Sequence, residues 1–138
     1  MISEASEFDQ FITDHRWAAL THLRGDGGPV SSVVAYAREA DEIVVSTPGK
    51  TFKRRALDRD PRVNLCILSN QEPFNFVALE GTATIETTHL EAATTAVFEQ
   101  IASVGYRLPE NLPAWLEQGD RVIIRISPMR VHGVIRPS

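Results

Sequence analysis

Val44-Val45-Ser46-Thr47-Pro48-Gly49-Lys50-Thr51-Phe52-Lys53-Arg54-Arg55-Ala56-Leu57-Asp58-Arg59-Asp60-Pro61-Arg62 reads as the end of a strand, a break, a short basic helix and the entry to another strand. Ile43–Ser46 has strand character. Thr47-Pro48-Gly49 interrupts it, because proline has no N–H to donate and glycine has no side chain to restrain it. Lys50 to Asp58 is the helix, and Asp60-Pro61 ends it by driving the residue before proline out of helical space. The only two lysines, Lys50 and Lys53, stand three residues apart beside Arg54 and Arg55. With Arg59 and Arg62 they make six of the 14 Lys and Arg residues, in a chain whose 18 Asp and Glu residues leave it at −4. A strand-to-helix junction of this kind offers one anion several donors: free backbone N–H groups, the hydroxyls of Ser46 and Thr47, and mobile cations. The stretch predicts a site for a ligand that carries phosphate.

The flanking sequence is rich in short strands. Ile2 to Thr13 is a short helix with Ile2, Phe8, Phe11 and Ile12 on its apolar side. Trp17–Leu23 is a strand, and Asp26-Gly27-Gly28 turns the chain, because glycine takes positive φ without strain. Pro29 opens a strand to Arg38 in which Val30, Ser32, Val34 and Tyr36 share a face. After the basic helix, Val63–Ser69 and Phe74 to Ile85 are strands, and Gly81 marks a bulge or bend in the second. Thr88-x-x-Glu91 has the spacing of a capping box. It would start a helix carrying Leu90, Ala93, Val97, Ile101 and Val104, ended by Gly105. Arg107–Gln118 is irregular or a short helix around Trp115 and Leu116. Val122–Ile126 and Met129–Ile135 are closing strands broken at Ser127-Pro128. Strands that follow one another through tight turns pair antiparallel, and a bend at Gly81 suits a small closed barrel with no exposed edges. The expected architecture is mainly β with peripheral helices, in one domain spanning 1–138.

At 138 residues, 43% hydrophobic and 23% charged, the chain has the make-up of a globular domain with a modest core. No apolar run approaches the roughly 20 residues of a membrane helix. The start, with Glu4, Glu7 and Asp9, is unlike a signal peptide. Cys66 lies in the apolar run Val63–Leu68 and reads as a buried core thiol of a cytoplasmic protein. The acidic balance argues against nucleic acid, and the basic stretch has no interleaved aromatic beyond Phe52.

Gly49-Lys50-Thr51 resembles the end of an NTPase phosphate loop, but that motif requires Gly where Val44 stands, and a parallel sheet behind it. The plain alternative for the basic cluster is a solvated helix face paired with Asp58 and Asp60. One helical turn between Lys50 and Lys53, with Ser46-Thr47 at a strand end, favours anion binding. His15, His22, His89 and His132 lack metal-ligand spacing, and His132 reads as structural or pocket-lining. No Ser elbow or Cys/His pair stands out, so no catalytic side chain is assigned. A cofactor that brings its own reactivity is the better inference.

Asp26-Gly27-x-Pro29-x-x-Ser32-x-Val34-x-Tyr36, Ser46-Thr47, Lys53-x-Arg55-x-Leu57-x-x-Asp60-Pro61-Arg62, Glu80-Gly81-Thr82-Ala83, Asp120-Arg121-Val122 and Ser127-Pro128 occur in this order. Together they resemble the pyridoxamine 5'-phosphate oxidase-like split β-barrel superfamily, most closely its actinobacterial branch that binds the deazaflavin coenzyme F₄₂₀. The resemblance covers nearly the whole chain. It implies a small antiparallel split β-barrel in a domain-intertwined homodimer with two cofactor sites at the subunit interface. The cofactor phosphate would be held by Ser46, Thr47, Lys50, Thr51, Lys53 and Arg55. Ser32, Val34 and Tyr36 would flank the ring, and the partner subunit would close the pocket through Phe74 and Phe76. Ala56 stands where the family usually has Asn, and Val33 where Pro or Asn is common.

F₄₂₀ presents a phosphodiester and a polyglutamate tail, whereas FMN presents one phosphate. The charge of Lys50, Lys53, Arg54 and Arg55 exceeds what one phosphate needs, which favours F₄₂₀, with FMN as the alternative. The expected activity is hydride transfer from reduced F₄₂₀ to an electron-poor double bond of a small molecule, enone or quinone-like, with Tyr36 or a water as proton source. A non-catalytic flavin, F₄₂₀ or haem carrier is the reading from another class. The substrate pocket is expected from Gln71–Asn75, Arg107–Gln118 and the C-terminus, with Trp115 and Leu116 anchoring their segment to the barrel.

Overall fold

A computed structural model of the chain describes residues 1–137. Helix α1 (Ser6–Asp14) is followed by strands β1 (Trp17–Leu23), β2 (Pro29–Ala35), β3 (Ala37–Glu39) and β4 (Glu42–Pro48). Helix α2 (Phe52–Arg59), β5 (Arg62–Leu68) and β6 (Phe76–Glu86) come next. Helix α3 (Glu91–Ile101) runs into a single 3₁₀ turn, and α4 (Leu112–Gln118) precedes the last strand, β7 (Arg121–Val134). The seven strands form one antiparallel sheet in the order β2-β1-β5-β6-β7-β4-β3. Strands β2 and β3 are the two edges, yet only Tyr36 separates them in sequence. The sheet must therefore curl until its edges meet, which produces the split barrel.

Inward-facing residues alternate along the strands and fill the barrel: Leu20, Ile43, Val45, Leu65, Ile67, Leu79, Ile124 and Ile126 are fully buried. Phe11 and Ile12 of α1 join this core beside β3, β6 and β7, and Leu57 of α2 joins it beside β1 and β6. The other faces of β4 and β7 are covered as well. Val44 and Ile123 pack with Ala93 and Val97 of α3 and with Leu112 and Leu116 of α4. Burial on both faces explains why Ile43-Val44-Val45 and Val122-Ile123-Ile124 are continuous apolar runs rather than alternating ones.

Several sequence expectations are borne out here. Gly27 has φ 87 in the β1–β2 turn. The register slips between Glu80 and Gly81, so that Glu80 opposes Arg130 while Gly81 opposes Pro128 and Met129 is the extra residue. A side chain at Gly81 would come within 2.3 Å of the Ser127 carbonyl oxygen. Gly105, in the left-handed region, ends the 3₁₀ turn after α3.

Other expectations are corrected. Strand β7 is continuous through Ser127-Pro128, and the bulge that a proline in a strand calls for falls right beside it, at Met129. Strand β4 runs on to Pro48, which pairs with Arg121. Helix α1 begins at Ser6, with Asp9 accepting from the Ile2 and Ser3 amides ahead of it. The Thr88/Glu91 capping box does not form. Helix α3 starts at Glu91, the preceding Leu90 has no capping side chain, and His89 turns the chain at φ 56. Cys66 points away from the barrel and is half-buried, with burial raising its thiol pKa. Among the described residues no helix is long and apolar enough to cross a membrane.

Candidate anion-binding site

The junction between β4 and α2 is tied down by backbone contacts. The Gly49 amide donates to the Asp120 carbonyl at 2.7 Å. Thr51 is the N-cap of α2: its Oγ1 accepts from the Arg54 amide at 3.4 Å and donates to the Pro48 carbonyl at 3.1 Å. Thr47 Oγ1, almost fully buried, lies 3.4 Å from Thr51 Oγ1. No acidic residue occupies the first turn of α2, so the positive end of the helix is free to face an anion. Lys50 lies in the turn ahead of Thr51 and is exposed, so it does not share a helix face with Lys53 as its spacing suggested.

The basic residues of this stretch divide into two groups. Arg54 pairs with Asp58 at 2.9 Å and donates to the Gly49 carbonyl at 3.0 Å, and Arg62 pairs with Asp60 at 2.8 Å. Arg62 pulls the Asp60 carboxyl down to about 2. These two arginines serve the fold, as the plain alternative has it. Among the described residues Lys50, Lys53, Arg55 and Arg59 have no ion pair, and Arg55 reaches only the Lys50 carbonyl, at 3.4 Å. Lys53 is half-buried. Burial pushes its ammonium pKa down, and the nearby positive charge of Arg121 adds to the shift.

Arg121 is the residue that sequence reasoning missed. It opens β7, donates from Nη2 to Ser46 Oγ at 2.8 Å, and stacks 4.3 Å above the ring of Trp115. Trp115 meets Phe98 edge-on at 5.5 Å, which fixes α4 against α3. Leu116 is buried in the outer core, so this pair does anchor its segment. Arg121 also has its pKa lowered by burial. Two partly desolvated cations held near each other are mutually unfavourable, and an anion between them relieves that cost. The available signal was the Asp120-Arg121-Val122 motif, to which the sequence reading gave no site role.

Ser32, Val34 and Tyr36 face inward on the edge of the barrel. Among the described residues Ser32 Oγ is buried without a hydrogen-bond partner, and Val34 is buried. Tyr36 is fully buried and donates its hydroxyl to the Ile12 carbonyl at 2.6 Å. Burial pushes its pKa far up. Tyr36 is therefore, like Val34, part of the barrel core, and its hydroxyl is already committed to Ile12. His22, also unforeseen, is 2% exposed, with its ring 5.4 Å from Phe52. Its pKa is lowered by burial first, then by Lys53 and Arg59.

Phe74 is exposed, and Phe76 is half-buried against His132, their rings 6.1 Å apart and edge-on. The expected substrate pocket is divided. A cleft of about 510 Å³ joins Gln71, Asn75 and Arg136 with His15 and Arg16. Pro113, Leu116 and Arg121 line a different, shallower cleft of about 300 Å³. A third, of about 450 Å³, lies on the outward sheet face between Thr21, Asn64, Thr82 and Met129.

A profile of the pyridoxamine 5'-phosphate oxidase family matches residues 5–135. The chain belongs to this family. Its curled seven-stranded sheet is the flavin-binding type of split barrel found there. The fold is similar to that of a conserved hypothetical protein of Mycobacterium tuberculosis, with TM-score 0.77 and 28% identity over 96% of this chain and 84% of that one. It is also similar to an F₄₂₀ reductase, with TM-score 0.72 and 20% identity over 90% of this chain and 94% of the other. A FAD-binding protein of Mesorhizobium loti aligns with TM-score 0.72 and 18% identity, covering 95% and 94% of the two chains. Among curated proteins no match is found.

Proposed function

We propose that this member of the pyridoxamine 5'-phosphate oxidase family is a flavin- or deazaflavin-dependent oxidoreductase that prefers F₄₂₀. Its proposed role is to present the reduced coenzyme to an electron-poor double bond of a small molecule. The observation that carries the reading is the pairing of Lys53 with Arg121, two half-buried cations without a carboxylate partner among the described residues. They stand beside the α2 N-terminus and the hydroxyls of Ser46, Thr47 and Thr51. That donor set fits a phosphate or phosphodiester: hard oxygens, charge-assisted hydrogen bonds and a helix end. When bound, the reduced coenzyme supplies the hydride. Lys53, Arg121 and the capped turn hold the phosphate end, while the unpartnered Ser32 Oγ and Val34 on β2 flank the ring.

The second half of each site is assigned to another copy of the chain. Ala19, Cys66 and Ala78 lie opposite one another across β1, β5 and β6 on the outward sheet face. Val33, 72% exposed, extends that face on β2. A row of small side chains lets a second sheet approach closely, which brings Phe74 and Phe76 toward the neighbouring cofactor site. Sedimentation is expected to give a dimer for the wild type and a monomer for Ala19→Arg. A wild-type monomer removes the intersubunit assignment.

A non-catalytic carrier is the competing reading, and the commitment of the Tyr36 hydroxyl to Ile12 favours it to the extent that a proton donor is required. Fluorescence titration with oxidised F₄₂₀ and with FMN at matched salt tests the ligand. Tight F₄₂₀ binding that Lys53→Ala weakens supports the assignment, and preferred FMN binding moves the protein to FMN chemistry. Turnover of enone or quinone acceptors with the reduced coenzyme then separates enzyme from carrier.

A further inference from the structure

We infer that the cleft of about 510 Å³ beside the end of α1 binds a small zwitterion, an apolar α-amino acid gripped by both its ammonium and its carboxylate. This site is separate from the β4–α2 junction. Phe52 at the start of α2 meets His22 near the end of β1, whereas Arg16 leads into the start of that strand and Leu68 ends its antiparallel neighbour β5. Two cations and two anions share the cleft without neutralising one another. Arg16, Arg136, Asp14 and Glu72 all line it, and among the described residues none of them makes an ion pair. Arg16 is half-buried, and its Nε is buried with no hydrogen-bond partner among the described residues. The Asp14 carboxylate accepts from Gln10 at 2.9 Å, and the Arg136 side chain commits only Nη1, to the Phe74 carbonyl at 2.9 Å. A lone anion in this cleft would meet Asp14 and Glu72, and a lone cation would meet Arg16 and Arg136. A ligand with one charge of each sign satisfies both sets.

The two charges of the ligand have different places. Asp14 is the last residue of α1, whose final turn carries no basic residue, and the negative end of a helix favours an ammonium group. The Arg16 guanidinium, with donors to spare, suits the paired oxygens of a carboxylate. Part of the wall is apolar, which selects the side chain of the ligand. The His15 ring stacks on Phe11 at 3.7 Å and is held there by donating Nδ1 to the Phe11 carbonyl at 2.9 Å, and Leu68 and Pro73 also face the cleft. The rim is arranged in advance, which lowers the ordering cost of binding. Gln100 of α3 donates to the Thr13 and His15 carbonyls, each at 3.0 Å, and so fixes the turn that carries Asp14 and Arg16. Across the cleft, the Arg136 amide donates to Asn75 Oδ1 at 3.0 Å. The volume lies within the range of small-molecule sites, roughly 300–1,000 Å³.

The test is an NMR titration of the isotope-labelled full chain with L-phenylalanine and with L-leucine, read from backbone amide shifts. N-acetyl-L-phenylalanine and L-phenylalaninamide, which each lack one of the two charges, are titrated beside them. At least one of the amino acids is expected to saturate shifts in 14–16 and 69–75. Each capped analogue should bind about tenfold more weakly or worse, since one charge-assisted contact is lost. Arg16→Gln should weaken the amino acid and leave L-phenylalaninamide unchanged. Asp14→Asn should weaken the amino acid and leave N-acetyl-L-phenylalanine unchanged. Saturation by neither amino acid, a capped analogue that binds as tightly as its parent, or shifts confined to the β4–α2 junction overturns the inference. Equal loss of all probes in either variant overturns it as well. Thermal melting shows whether Arg16→Gln remains folded. If it does not, Asp14→Asn and the two capped analogues decide, because the Asp14 side chain is exposed. Coenzyme affinity should be the same in Asp14→Asn and the wild type, so this inference and the proposed function stand or fall separately.

Discussion

The amide of Gly49 donates to the carbonyl of Asp120 at 2.7 Å, and a side chain at Gly49 would come within 2.3 Å of that same oxygen. Asp120 holds the left-handed φ of 47 that aims its carbonyl at the loop. Through this contact the turn before α2 is seated on the turn before β7. The two chain segments that carry Ser46, Lys53 and Arg121 thereby keep a fixed spacing. Gly49→Ala is expected to cost about 2 kcal/mol in urea unfolding and to weaken phosphate binding, because the nearest obstacle is backbone and cannot rotate away. Unchanged stability would mean that the loop has slack and does not set the site.

Lys53 is expected to trade stability for binding. Its ammonium is half-buried beside Arg121 and has no counter-ion among the described residues. In the ligand-free protein Lys53→Met should be neutral or stabilising by roughly 0.5 kcal/mol, with the gain shrinking as salt is added. The same variant should bind phosphate and coenzyme far more weakly. A clear loss of thermal stability would show that Lys53 serves the fold instead.

The pH dependence follows from His22. Its folded-state pKa lies below the usual 6.5 because burial, Lys53 and Arg59 oppose the charged form. The unfolded chain therefore takes up a proton before the folded protein does. Stability should be full above about pH 6.5 and should fall as pH drops from there toward the folded-state pKa. In His22→Gln that part of the slope should vanish, and urea midpoints between pH 5 and 7.5 measure it. An identical slope in both proteins would assign the effect to other groups.

Arg125 bridges four strands through Glu39 at 3.0 Å, Glu86 at 3.0 Å and Glu42 at 3.5 Å. Its partners are partly exposed, so solvent screening limits the whole network. Arg125→Met should cost about 1–2 kcal/mol, in part through the carboxylates left facing one another. Ligand affinity should not change, which separates this arginine from Arg121.

Tyr36→Phe removes a hydroxyl that donates to the Ile12 carbonyl at 2.6 Å and leaves that buried acceptor unpartnered. The expected cost is about 1–3 kcal/mol, with coenzyme affinity and turnover unaltered. Lost turnover at normal stability would return a chemical role to Tyr36.

The elements and their pairing sense were legible because each depends on local rules. Alternation predicted the strands, and Asp26-Gly27-Gly28 and Gly81 predicted the turn and the bulge. Helix α2 was legible through its Asp60-Pro61 stop, but its start was read at Lys50, two residues ahead of Phe52, because the Thr51 cap was not recognised. The Thr88/Glu91 spacing misled, because a capping box needs Thr88 at the N-cap, and His89 in the left-handed region shifts the start of α3 by two residues. Ser127-Pro128 misled in the opposite way: it was read as a break, whereas the strand runs through it with a bulge beside the proline.

By itself the sequence determined that this chain forms a small antiparallel barrel with a cationic junction at Ser46–Arg55, since patterning, turn chemistry and charge density are properties of neighbouring residues. Which cations remain free was decided by tertiary structure alone. Arg54 and Arg62 are consumed by carboxylates close by in the chain, whereas Lys53 gains Arg121 from almost seventy positions away. Tyr36 was withdrawn from the site by the Ile12 carbonyl, which no spacing along the chain foretells. Charge and hydrogen-bonding capacity belong to residues, but their partners are assigned by tertiary pairing, and it is the antiparallel register of β4 with β7 that brings the end of one beside the start of the other.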